Sequence, residues 1–139
     1  MLTRVLVGVD FSPASREALT RAAAWADRLH LPLVVVHVIE HPEHDLFRLY
    51  APMGDPAWFH EFEPKARDLL AQWTAPYPQA TGMIKFGPPA RTLIEEADVR
   101  TLMVVGQSGH GGPLLGSTAE RVVRGALGDV LVVRSSRTT

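Results

Sequence analysis

There is no cysteine in this chain, which excludes disulfides, thiolate metal sites and cysteine nucleophiles together and says nothing about compartment. No apolar run approaches the roughly 20 residues that a membrane-spanning helix needs, so no membrane association is expected. The opening stretch, Met1-Leu-Thr-Arg4-Val-Leu-Val-Gly8-Val-Asp10, is too short an apolar run for a secretory signal, and the cytoplasm is the expected location. Charge of one sign is lacking too: 14 Lys and Arg against 15 Asp and Glu leave a net charge of −1. The basic residues are scattered rather than gathered into a stripe, so no nucleic-acid partner is expected. Aromatics are few, at 7%. Trp25, Phe59, Phe62 and Trp73 fall on apolar helix faces, where the simplest reading is core and not a base-stacking platform.

What is present is an ordinary globular composition, 46% hydrophobic and 21% charged over 139 residues, the size of one domain spanning 1–139 around one core. Leu2 to Val9 is a β-branched apolar run that suits a strand buried on both faces. Ser12-Pro13 then places an N-cap residue before proline at the first helical position, and Ala14, Ala18, Ala22, Trp25, Ala26 and Leu29 follow at helical spacing. Leu33 to Ile39 reads as a second buried strand, and the proline-rich stretch from Glu40 to Pro56 as a long surface loop and candidate lid. A helix is expected from Phe59 to Trp73, with Pro64 either kinking it or starting its main segment. Thr81 to Phe86 is a weaker strand, and Gly87-Pro88-Pro89 opens a short helix carrying Leu93, Ile94 and Ala97. Leu102 to Gly106 is a fourth strand, Ser117 to Leu127 a helix, Val130 to Val133 a fifth strand, and 135–139 a polar tail. Strands alternating with helices predict an α/β fold, a single-domain Rossmann-like open parallel five-stranded sheet with helices on both faces.

In such a sheet the ligand crevice lies outside the carboxyl ends of the strands, where the strand order reverses. The loop after the first strand, Asp10-Phe-Ser-Pro-Ala-Ser15, has no glycine with which to bring amides close to a pyrophosphate and offers a carboxylate instead. The stretch after the fourth strand, Gly106-Gln-Ser-Gly109-His-Gly111-Gly112-Pro-Leu-Leu-Gly116-Ser117-Thr118, has five glycines and a helix N-terminus behind it. Glycines admit an anion to backbone amides, and the positive helix end favours its charge. Ser117-Thr-Ala-Glu120 also reads as a capping box, which would account for Ser117 with no ligand at all, and both readings stand on these residues.

The combination of Val-Gly8-Val-Asp10-Phe-Ser12, His37-Val38-Ile39, Val105-Gly106-x-x-Gly109, Gly116-Ser117-Thr-Ala-Glu-Arg-Val-Val and Val130-Leu-Val-Val resembles the universal stress proteins along the whole chain. The resemblance implies a stress-response regulatory protein that binds ATP with Mg²⁺ and pairs as a homodimer through the fifth strand. Carried over by position, Gly106, Gly109, Gly116 and Ser117 would line the phosphates and ribose, Asp10 and Val38 the adenine side, with Val105 and Thr118 beside the ribose and phosphates. Six residues separate Gly109 from Gly116, where the family's ATP-binding pattern has nine. A nucleotide-independent adaptor dimer and a slow ATPase are the competing functions.

Other constellations read more plainly. His41, Glu43, His44 and Asp45 lack a third anchored metal ligand and read as a solvated loop. Gly106-Gln-Ser108-Gly109-His110 departs from a nucleophile elbow, which needs glycine where His110 stands. A phosphoacceptor role for Asp10 fails for want of a lysine after the fifth strand, which ends at Arg134. No base is poised beside the phosphate loop and no arginine is placed to stabilise a transferring phosphoryl group, so no catalysis is expected.

Overall fold

The computed structural model describes residues 1–40, 59–107 and 114–134. Chain order runs β1 (Arg4–Gly8), α1 (Pro13–Leu29), β2 (Leu33–Ile39), α2 (Phe59–Thr74), β3 (Ala80–Phe86), α3 (Pro89–Glu96), β4 (Thr101–Gly106), α4 (Ser117–Gly125) and β5 (Val130–Val133). All five strands pair in parallel in the order β3-β2-β1-β4-β5, with β1 registered against both β2 and β4. The expected loop from Glu40 to Pro56 lies outside the described residues except for Glu40, as do the His41–Asp45 cluster, Ser108, Gly109, His110 and the polar tail.

The continuous apolar runs follow from burial on both faces. Val5, Leu6 and Val7 are all fully buried although successive side chains point to opposite sides. Val5, Val7, Leu33, Val35 and Val104 pack with α1 and the α2 residues Leu70 and Trp73. Leu6, Val36, Met103 and Val105 pack on the other side with α3 and α4. Glu96, at the end of α3, pairs with Arg4 at 3.7 Å and Lys85 at 3.3 Å and so ties α3 across β1 and β3.

The structure corrects several expectations. α1 buries Ala14, Ser15, Ala18, Leu19, Ala22, Ala23 and Ala26. This small-residue stripe lets the helix lie close to the sheet, and Trp25 is left at its rim, 46% exposed, instead of in the core. Phe62 is likewise 50% exposed, because α2 buries Leu70 and Trp73 near its C-terminal end. That helix runs unbroken from Phe59 with Pro64 inside it. α4 stops at Gly125, two residues before the expected Leu127, with Ala126 as an extended C-cap.

Candidate functional site

β1 stands at the point where the strand order reverses, flanked by β2 on one side and β4 on the other. Above the carboxyl ends of these strands lies a cavity of about 300 Å³. Of the eight residues singled out from the sequence, seven line it: Asp10, Val38, Val105, Gly106, Gly116, Ser117 and Thr118. The eighth, Gly109, lies outside the described residues.

The β1–α1 loop supplies one wall and is wired internally. Ser12 sits at the N-cap of α1 with extended backbone and accepts from the Ser15 amide at 3.2 Å, and Pro13 holds the first helical position. The Ser12 amide donates to Asp10 Oδ1 at 2.9 Å, and the Asp10 amide donates to Ser15 Oγ at 3.2 Å. Ser15 is buried and its hydroxyl donates to the Ser12 carbonyl at 3.1 Å. Partial burial works against ionisation of Asp10, but hydrogen bonds from Ser12 and then Ser15 outweigh it and hold the carboxyl below its ordinary value of 3.8. Between these polar residues Phe11 takes a left-handed backbone, φ 65°.

The opposite wall comes from β4 and α4. Gly106 is required by packing: a Cβ there would lie 2.9 Å from the Ala14 carbonyl oxygen, inside the first turn of α1. Gln107 donates its amide to Val133 and accepts at its carbonyl from the Gly116 amide at 2.6 Å, so the two ends of the glycine-rich stretch are pinned together. The expected capping box does not form. Gly116, not Ser117, is the N-cap of α4, with no side-chain cap bond. The Glu120 amide donates to the Gly116 carbonyl at 2.9 Å, and the Glu120 carboxylate pairs with Arg124 at 2.8 Å instead of reaching back. The physical reason is the Gln107–Gly116 bond, which fixes Gly116 at the entry to the helix and moves Ser117 into its first turn. The amides of Ser117, Thr118 and Ala119 precede the first intrahelical bond and stand at the crevice as first-turn donors.

Sequence reasoning missed Ser12, Ser15, Glu40, Pro89, Leu93 and Gln107, all of which line the cavity. For Glu40 a signal existed, since it follows Val36 and Val38 at the two-residue period, one residue past the end of β2, and Val38 had been singled out. Pro89 and Leu93 arrive from α3, whose N-terminal end reaches the crevice only because β3 lies beyond β2 in the sheet. Among the described residues, the lining contains two carboxylates and no lysine, arginine or histidine, and there is no group of three metal-ligating side chains. No described helix is long and apolar enough to cross a membrane.

Strand order and crevice define a doubly wound α/β protein with its cavity at the switch point. Residues 1–134 match the model of the universal stress protein family, and the chain belongs to that family. It is 37% identical over 144 residues to a universal stress protein of Mycolicibacterium smegmatis, covering 94% of this chain and 45% of that one. It is 33% identical to universal stress protein A homolog 1 of Coxiella burnetii, covering 93% and 94%. The chain thus spans about half the length of the mycobacterial relatives it matches. Among solved structures, the universal stress protein UspA from Lactobacillus plantarum superposes with a TM-score of 0.66 at 27% identity, covering 95% of this chain and 97% of that one.

Proposed function

We propose that this chain is a stress-response regulatory protein that binds ATP, accompanied by Mg²⁺, in the β1–β4 crevice and acts as a homodimer without catalysing a reaction. The observation that carries this reading is the convergence of Asp10, Val38, Val105, Gly106, Gly116, Ser117 and Thr118 on one cavity, with first-turn amides of α4 on one wall and a carboxylate on the other. Amides and helix dipole suit a phosphate, and the Val38–Val105 side suits an apolar base. Two proteins of like fold support adenine as the base: the universal stress protein from Archaeoglobus fulgidus was solved in complex with dAMP, and another universal stress protein in complex with cAMP. Asp10 and Glu40 are two carboxylates and not a metal cage, so Mg²⁺ would be held chiefly by the phosphates it accompanies. β5 is an edge strand with Val130, Leu131 and Val132 only partly buried, and a second copy pairing there would cover it.

Acid extraction of the purified protein followed by nucleotide chromatography, then isothermal titration of the stripped protein with AMP, ADP and Mg-ATP, tests the reading. All three should bind. With six residues where the family pattern has nine, ATP should gain less than about tenfold over AMP. Sedimentation equilibrium should show a dimer. If no nucleotide binds while the dimer forms, the nucleotide-independent adaptor replaces this function.

A further inference from the structure

Phe11 is the one non-glycine residue of the β1–α1 loop with a left-handed backbone, φ 65°. A bulky side chain at such a φ is an outlier that persists only where its surroundings over-determine it. The surroundings do so here. The Phe11 ring lies 4.3 Å from the His37 ring at an interplanar angle of 32° and meets Trp73 edge-on at 5.2 Å. The His37 ring is itself fixed by a 2.8 Å hydrogen bond between Nδ1 and the Val9 carbonyl. Trp73 is buried at the end of α2, and the Arg16 guanidinium closes over its ring at 4.1 Å. Side chains from β2 and α2 therefore grip a single residue of the loop between β1 and α1, and Arg16 of α1 braces one of them.

That residue stands between Asp10 and Ser12, the two ends of the hydrogen bond that orients the Asp10 carboxylate. Turning φ of residue 11 to a negative value would redirect the peptide that carries the Ser12 amide, and the 2.9 Å bond to Asp10 Oδ1 would be lost. We infer that Phe11, clamped by His37 and Trp73, is a positioning residue: its ring stack holds the strained turn that aims Asp10 into the crevice. This rests on the nucleotide reading for its functional consequence, but not for the orientation of Asp10 itself. The aromatic group lies outside the residues singled out as ligand contacts, and His37 and Trp73 do not line the cavity.

The test uses the full chain with Phe11→Val, which abolishes the stack and disfavours the left-handed backbone, and Phe11→Tyr, which keeps the ring. Phe11→Leu, apolar but without a ring, is the second variant should valine prevent folding. By isothermal titration with AMP, Phe11→Val should weaken binding about tenfold, the worth of one misaligned charge-assisted hydrogen bond. Phe11→Tyr should stay within about twofold of the parent, and adding Phe11→Val to Asp10→Ala should cost less than about twofold more, since the carboxylate it positions is gone. An equal loss with and without the Asp10 carboxylate overturns the inference, as does unchanged binding in Phe11→Val. A ligand-free measurement separates this from the nucleotide reading: carbon NMR titration of the Asp10 carboxyl should find its midpoint below 3.8 in the parent and raised in Phe11→Val. If the parent binds no nucleotide, the proposed function fails and this titration alone decides; a midpoint that Phe11→Val leaves in place overturns the positioning role.

Discussion

Three helices turn their N-terminal ends to the same crevice, and the two with a serine at or just before the first turn, α1 and α4, use it in opposite ways. At α1, Pro13 cannot donate and its fixed φ suits the first helical position, which leaves Ser12 outside as a true N-cap bonded to the Ser15 amide. At α4, the bond from the Gly116 amide to the Gln107 carbonyl puts the glycine outside, and Ser117 becomes the first residue of the helix. One helix start is capped by its own side chain, and the other has no side-chain cap bond. The difference shows that a serine before a helical run fixes neither cap nor ligand contact; the residue that controls the chain's entry into the helix decides between them.

The largest effect should come from joining the two regions by force. A Cβ at Gly106 would meet the Ala14 carbonyl oxygen at 2.9 Å and its carbon at 3.1 Å, backbone atoms that cannot swing away. Gly106→Ala should cost about 1–3 kcal/mol as an overpacking change and lower the melting temperature by about 4–12 °C. A melting temperature within a degree or so of the parent would mean that α1 is free to shift and that its N-terminus is not the fixed member of the pair. The next effect sharpens the contrast itself: Ser12→Ala removes a working cap and should cost about 0.5–2 kcal/mol by urea unfolding.

The α/β alternation, the buried strands and the start of α1 were legible because period, caps and proline act within a few residues of one another. Seven of the eight residues singled out line one cavity, because strand ends on either side of β1 bring them together. The capping box at Ser117 was misread because the Gln107–Gly116 bond spans a stretch whose closure no local pattern announces. Trp25 was misplaced for a related reason: helical spacing puts it beside the apolar stripe, and only the close approach permitted by Ala18, Ala22 and Ala26 shows that a large ring has no room underneath. Phe11 carried no signal at all, since its left-handed backbone depends on rings from β2 and α2 that lie far away in sequence.

Ser117→Ala is the counterpart of Ser12→Ala and breaks the comparison if it behaves the same way. With Gly116 as the cap, the Ser117 hydroxyl supports no helix bond, and the substitution should leave urea stability within about 0.5 kcal/mol, as surface changes do. AMP affinity should fall by about three- to tenfold for loss of one hydrogen bond to phosphate. Loss of stability comparable to Ser12→Ala would restore the capping box in solution and remove the free hydroxyl from the crevice.

The smallest effect is one of pH and belongs to the self-satisfied side. Burial alone would raise the pKa of Asp10, yet hydrogen bonds from Ser12 and Ser15 leave it below 3.8. A carboxyl whose folded pKa is depressed favours the fold when ionised, so its contribution is present above the unfolded value and fades as pH falls through the folded one. Asp10→Asn keeps the shape and removes the charge. The difference in unfolding free energy between parent and variant should therefore be flat from about pH 7 to 5 and shrink only below about pH 4. It should be small throughout, because the carboxylate sits at the open side of the crevice, where water screens it and no described cation pairs with it. A difference that widens in acid would mean that burial outweighs the hydrogen bonds at Asp10, and the β1–α1 loop would then be no more self-satisfied than the open turn of α4.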